Sequence, residues 1–111
     1  MRNLMAMVVM GLVSVTANAE EHQHDFAPDV KAMHAVLSPL WHAEAGAKRQ
    51  KETCAALPNM LSMATKMHYK TAAQLADAGS NLQKLCSADQ KTFNASFSQF
   101  HDAFHRVMEE K

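Results

Sequence analysis

The sequence predicts an all-α fold: a small antiparallel four-helix bundle that forms one domain and contains one disulfide. Glycine is scarce, with three residues in 111, whereas Ala, Leu, Met, Lys and Gln, which favour helices, are abundant. No segment alternates apolar and polar residues as a half-buried strand does. The only cysteines are Cys54 and Cys86. In an exported chain a lone pair of this kind is typical of a disulfide.

The N-terminal segment has the features of a cleavable signal peptide. Arg2 precedes an uncharged apolar stretch, and Ala17-Asn18-Ala19 fits the small-residue pattern before a cleavage site. The stretch is shorter than the roughly 20 residues of a membrane-spanning helix, so we expect no membrane anchor after cleavage. We therefore divide the chain into a signal peptide at 1–19, a flexible histidine-containing segment at 20–26 and a helical bundle at 27–111, located in the periplasm.

The composition argues against two classes of function. Lys and Arg number 11 and Asp and Glu number 11, with no run of like charges, so we expect no nucleic acid partner. The sequence has no serine in a glycine-flanked nucleophile elbow and no glycine-rich phosphate loop, and a disulfide would remove both thiols. We therefore expect a binding protein and not an enzyme.

The last helix is the most clearly marked. We expect it to begin at Ser87, which together with Gln90 has the spacing of a capping box. Apolar residues then recur every three or four positions and form one continuous stripe. The stripe comprises Phe93, Phe97, Phe100, Phe104, Val107 and Met108.

The first helix is expected at about 27–43, with Pro28 in its first turn and Pro39 bending or ending it. A short turn at 44–46 follows, and Pro58 is expected to interrupt the second helical run. The apolar stripe of the first helix comprises Val30, Met33, Leu37, Leu40 and Trp41.

The boundary between the second and third helices is open to two interpretations. A turn near 69–71 gives four helices of comparable length, whereas a stop at Gly79 with Ser80 as a new cap gives a long helix and a short one. We expect the first arrangement. It places Cys54 early in helix two and Cys86 at the end of an antiparallel helix three, at the same level of the bundle, where a disulfide can close.

Four short antiparallel helices behind a signal peptide, with Met and His early in the first helix and His late in the last, resemble the periplasmic cytochrome c-prime and b-type cytochrome bundles. The resemblance implies a bundle whose core can host a metal or cofactor. The Cys-x-x-Cys-His sequence is missing, and residues 100–105 stand where such bundles carry their haem-binding end. Covalent haem is therefore excluded, and noncovalent haem with His and Met axial ligands is an alternative.

Seven histidines are the main chemical feature of the chain. His101 and His105 lie four residues apart, on the same edge of a helix, and such a pair can chelate a metal ion. His34 should face them, because helices one and four run antiparallel. We expect these three as ligands, with Met63 or Met67 as a soft fourth ligand from helix two. Imidazoles with a thioether suit copper best, and imidazoles alone also suit zinc.

The same residues also fit a structural role. A histidine pair four apart can form the polar edge of a helix, and methionines at helical spacing commonly fill cores. His42 is expected to be a solvated surface residue because it points away from the apolar stripe. His68 fits either role.

A second metal site follows from the predicted cleavage. A chain that starts Glu20-Glu21-His22 offers its amino group, two backbone amides and an imidazole to square-planar Cu(II) or Ni(II). His24 adds a nearby donor. This site needs the correct cleavage and no fold.

These features together predict a periplasmic metal-binding protein, for copper first and zinc second, that serves metal buffering, delivery or resistance. One alternative is a non-metallic interaction or envelope-stress module whose partner is another periplasmic protein. The other alternative is the noncovalent haem-binding bundle.

Overall fold

A computed structural model describes residues 26–110 as four α-helices joined by short turns. The predicted all-α four-helix bundle is confirmed, and so is the turn near 69–71 that separates the second and third helices. The predicted signal peptide and residues 20–25 lie outside the described residues. The helices are α1 (Pro28–His42), α2 (Ala47–Thr65), α3 (Ala72–Lys84) and α4 (Gln90–Glu109).

The helices pack in chain order, α1 on α2, α2 on α3 and α3 on α4, and α4 returns against α1. The backbones of α1 and α4 come less close along their length than those of the other neighbouring pairs. Aromatic side chains fill this wider seam. No helix within residues 26–110 is long and apolar enough to cross a membrane.

The core is built around the apolar stripe of α4. Its four phenylalanines are almost completely inaccessible to solvent, as the sequence periodicity predicts. Each of the other helices contributes at least two fully buried side chains to the same core. These are Met33 and Leu37 from α1, Leu57 and Met60 from α2, and Leu75 and Leu82 from α3.

The prolines do not break the helices in which they occur. α1 continues through Pro39 to His42, and the prediction that Pro58 interrupts the second helix is wrong because α2 is unbroken across it. A proline inside a helix costs about 3 kcal/mol. Burial of Leu57 and Met60 on the two sides of Pro58 offsets this cost, since each buried side chain contributes about 1.5–3 kcal/mol.

The cap of α4 also differs from the prediction. Asp89 is the N-cap: its carboxylate accepts hydrogen bonds from the Thr92 backbone N–H at 3.2 Å and the Thr92 hydroxyl at 2.7 Å. The predicted capping box of Ser87 and Gln90 is wrong, because Ser87 lies in the preceding turn and the Gln90 side chain donates to Gln50. A carboxylate satisfies the free N–H groups of a helix start and also interacts favourably with the helix dipole.

The predicted disulfide between Cys54 and Cys86 is confirmed, with Cα atoms 6.0 Å apart. It joins α2 to the turn that follows α3. The Gln50 side chain supports the same junction by donating to the carbonyl oxygens of Cys86 at 2.9 Å and Ala88 at 3.0 Å.

A carboxylate after α4 ties the end of the chain to the start of α3. Glu110 accepts hydrogen bonds from the backbone N–H groups of Lys70 at 2.7 Å and Thr71 at 2.9 Å, and from the Thr71 hydroxyl at 2.6 Å. These bonds, that of the Thr71 hydroxyl first, hold the pKa of Glu110 below its ordinary value. Glu110 thus satisfies N–H groups at the start of α3 that the helix itself leaves free.

Candidate metal centre

A groove of about 270 Å³ opens along the seam between α1 and α4. Four histidines line it, two from each helix, together with apolar side chains and a thioether. We call it the histidine groove. Its lining residues are His34, Leu37, Ser38, Trp41 and His42 from α1 and His101, Phe104, His105 and Met108 from α4.

The spacing of polar residues along α1 forms one wall of the groove. His34 and His42 lie eight residues apart with Ser38 midway, and residues four apart on a helix share a face. This line runs beside the buried Leu37. Packing of the apolar face of α1 therefore turns the edge that carries the two histidines toward α4.

The opposite wall comes from α4 by the same principle. His101, His105 and Met108 occupy positions i, i+4 and i+7, which share one edge of the helix. The fully buried Phe100 and Phe104 lie beside them and fix the rotation of α4 about its axis. The phenylalanine stripe therefore sets the direction in which these three side chains project.

The two histidines of α4 face each other at close range. The Nε2 atoms of His101 and His105 are 3.3 Å apart, and their ring centroids are 4.5 Å apart. One neutral ring can donate its Nε2–H to the Nε2 of the other ring. With both Nε2 atoms unprotonated, the two rings would offer two nitrogen donors 3.3 Å apart.

Trp41 holds the His101 ring in a fixed orientation. The two rings are stacked nearly parallel, with centroids 3.8 Å apart and planes inclined by 8°. Trp41 also packs edge-on against the buried Phe97, with a centroid distance of 5.4 Å. The imidazole of His101 therefore stacks on an indole ring that itself packs against the core.

Arg49 of α2 supports this indole ring from behind. Its side chain is almost completely buried, and the guanidinium carbon lies 4.9 Å from the centroid of Phe97 and 5.7 Å from that of Trp41. The guanidinium donates to the Trp41 carbonyl at 3.2 Å and to the side-chain oxygen of Asn94 at 3.3 Å. Arg49 thereby links α1, α2 and α4 below the groove, a role that the sequence analysis did not identify.

The other two histidines of the groove stand apart from the pair. His34 is half-buried between the rings of Phe26 and Phe104, each 6.3 Å from it, and His42 is exposed at the end of α1. Within residues 26–110, no three His, Cys, Asp or Glu side chains are grouped so as to hold a metal ion. The groove thus presents two adjacent imidazoles, with further histidines and a methionine in its lining.

The environment of His101 favours its neutral form. Partial burial holds the pKa of His101 below its ordinary value, and the proximity of His105 and, to a smaller extent, His42 lowers it further. Asp102 acts in the opposite direction. A neutral imidazole is the state that binds a metal ion.

The structure brings His34, His101 and His105 to one groove, but it does not bring Met63 or Met67 there. Met67 is buried in the core and Met63 packs against it. His68 is exposed and also lies outside the groove lining. The predicted N-terminal donors, His22 and His24, fall outside the described residues.

Two groove residues were not predicted as part of the site. His42 is exposed, as expected, but it lines the groove. Its spacing of eight residues from His34 indicates that the two histidines share one edge of α1, and this spacing could have predicted its place in the groove. Met108 was assigned to the apolar stripe alone, although its spacing of seven residues from His101 also places it beside the histidine pair.

Comparison of the chain with protein-family models, with curated proteins and with solved structures found no match. The feature that the structure shares with the cytochrome bundles is the compact four-helix all-α architecture.

Proposed function

We propose that this protein binds a transition metal ion in the histidine groove, copper first and zinc second, and acts in the periplasm in metal buffering, delivery or resistance. The observation that carries the proposal is the separation of 3.3 Å between the Nε2 atoms of His101 and His105. The side chains that surround the pair add to its support.

The separation suits particular coordination geometries. Two imidazole nitrogens at about 2.0–2.1 Å from a tetrahedral ion lie about 3.3–3.4 Å apart, whereas a square-planar ion at similar distances requires about 2.9 Å. The pair thus favours Zn(II) or Cu(I) over square-planar Cu(II). Cu(II) is better suited to the proposed N-terminal site at His22.

The protonation state and the orientation of His101 also support metal binding. The lowered pKa of His101 reduces the competition between protons and the metal near neutral pH. Stacking on Trp41 holds the ring in place, so less conformational entropy is lost when the metal binds.

The incomplete ligand set indicates an exchangeable site. Structural zinc sites are closed by four protein ligands, whereas sites that exchange ligands keep open positions. His34 and His42 line the groove without forming a ligand group with the pair, so the pair by itself leaves coordination positions open. Buffering and delivery both require a metal that can leave, which this arrangement permits.

Calorimetric titration with Cu(I), Cu(II) and Zn(II) tests the proposal. The protein is expressed from its full sequence with His22→Ala and His24→Ala, which removes the N-terminal donors. We expect one ion per chain at a Kd below about 1 μM, corresponding to about −8 kcal/mol. His101→Ala with His105→Ala should abolish this binding, and His68→Ala, an exposed histidine outside the groove, should leave it unchanged.

Other outcomes would identify the alternatives. Metal binding that disappears with the N-terminal histidines would place the site in that segment and contradict a folded centre. A Soret band in the purified protein would indicate noncovalent haem. If the protein binds neither a metal ion nor haem, the non-metallic interaction module is the remaining alternative.

A further inference from the structure

Met108 is the methionine of the described residues that lines the histidine groove. It follows His105 by three positions and His101 by seven, so its side chain leaves α4 on the same edge as the two imidazoles. Cβ atoms three residues apart on a helix are about 5–6 Å from one another. A methionine at this position can therefore place its sulfur beside an ion held by His105.

The core does not need Met108 in the way that it needs the rest of the stripe. Val107, its neighbour, is 1% exposed and closes the apolar stripe at this end of α4, whereas Met108 is only partly buried. Methionine has three rotatable bonds and a polarisable sulfur. Met108 thus packs against the edge of the core and also lines the groove, where its flexible side chain can direct the sulfur toward the histidine pair.

The chemistry of a thioether differs sharply between the two ions that fit the histidine pair. Thioether sulfur is a soft, uncharged ligand that selects Cu(I), whereas Zn(II) is satisfied by imidazole, carboxylate or thiolate. The nitrogen separation of 3.3 Å corresponds to an angle of about 110° at an ion about 2.0 Å from each nitrogen. This angle leaves room for a third ligand in a trigonal or flattened tetrahedral set.

We infer that Met108 is the third ligand of the groove and that it makes the site selective for Cu(I) over Zn(II). The inference rests on the proposed function, since it requires His101 and His105 to hold the ion. It replaces Met63 and Met67, the soft ligands expected from the sequence, with a methionine on the same helix as the histidine pair.

Met108→Leu is the test variant, because leucine keeps the volume and removes the sulfur. Met63→Leu is the matched control, since Met63 packs against the core away from the groove. Both are made with His22 and His24 replaced by alanine. Cu(I) affinity is measured without oxygen by competition with a chromophoric chelator, and Zn(II) affinity by the corresponding zinc competition. Far-UV circular dichroism checks that each variant is folded.

We expect Met108→Leu to weaken Cu(I) binding by at least about 10- to 100-fold. Loss of a group that only hydrogen-bonds to a metal ligand already weakens metal affinity by this amount, and loss of a ligand should cost no less. Zn(II) binding should change by less than about twofold, within the scatter of a neutral substitution. Met63→Leu should change neither affinity. X-ray absorption at the copper edge should detect a sulfur neighbour in the parent protein and in Met63→Leu, and none in Met108→Leu.

The two proposals fail in different ways. Unchanged Cu(I) affinity in Met108→Leu, or equal weakening of Cu(I) and Zn(II), would overturn the role of Met108 and leave the histidine pair as the metal site. A sulfur neighbour that persists in Met108→Leu would likewise overturn it. A parent protein that binds neither ion would overturn the proposed function and, with it, the role of Met108.

Discussion

Removal of the disulfide is expected to destabilise the bundle strongly while leaving the histidine groove intact. The cross-link closes a loop with a sequence separation of 32 residues, for which the chain-entropy relation gives about 4 kcal/mol. A domain of this size has a total free energy of unfolding of about 4–13 kcal/mol. Cys54→Ala with Cys86→Ala should therefore remove between about a third and nearly all of the free energy of unfolding.

The groove should keep its affinity wherever the variant remains folded. Its walls come from α1 and α4, whereas the disulfide joins α2 to the turn after α3. A metal ion at 100 times its Kd stabilises the folded state by about 2.7 kcal/mol, so it should restore much of the lost stability.

Guanidinium chloride unfolding with and without Zn(II), followed by circular dichroism, measures both effects. Ser62→Ala, an exposed substitution on α2, is the control and should unfold like the parent protein. A loss of less than about 1 kcal/mol in the double variant would refute the loop-closure reasoning, since removal of a native disulfide ordinarily costs about 2–5 kcal/mol. A folded double variant that no longer binds the metal would refute the separation of the site from the cross-link.

Two further predictions concern packing and pH. Gly79→Ala should lower the free energy of unfolding, measured by chemical denaturation, by about 1 kcal/mol. The added Cβ would lie 2.6 Å from Leu61 Cδ2 and 3.0 Å from Phe100 Cε1. The cost of such overpacking, about 1–3 kcal/mol, exceeds the gain in helix propensity of about 0.5–1 kcal/mol. An unchanged or raised stability would contradict this. Because the pKa of Glu110 is lower in the folded state, its stabilising contribution is complete above the ordinary value of 4.5 and is lost as pH falls below it. Glu110→Gln should therefore flatten the decline of stability between about pH 5 and 3, and a decline as steep as in the parent protein would exclude this contribution.

The sequence predicted the features that depend on local periodicity. The phenylalanine stripe of α4 predicted both the helix and its buried face, and the two cysteines predicted which of two boundaries separates α2 from α3. The features that failed depend on competition between interactions. The burial of Leu57 and Met60 carries α2 through Pro58, and Asp89 caps α4 although Ser87 has equally suitable chemistry two residues earlier.

The candidate site was predictable to the same extent. Spacing on one helix placed His101 and His105 together, and antiparallel packing correctly brought His34 to the same groove. The expectation that Met63 or Met67 lies beside the histidines failed because it depends on where the second helix ends and how it is rotated, which periodicity alone did not determine. Met67 lies beyond the end of α2 at Thr65 and is buried in the core, and Met63 packs against that core, so that neither sulfur reaches the groove.

Location of the bound metal by anomalous diffraction tests the central proposal most directly. Crystals of the full-sequence protein would be grown separately with Cu(I) and Zn(II). We predict a single strong peak in the histidine groove, about 2.0–2.1 Å from the Nε2 atoms of both His101 and His105. A peak confined to the N-terminal histidines, with the groove empty at full metal occupancy, would contradict the proposed metal centre.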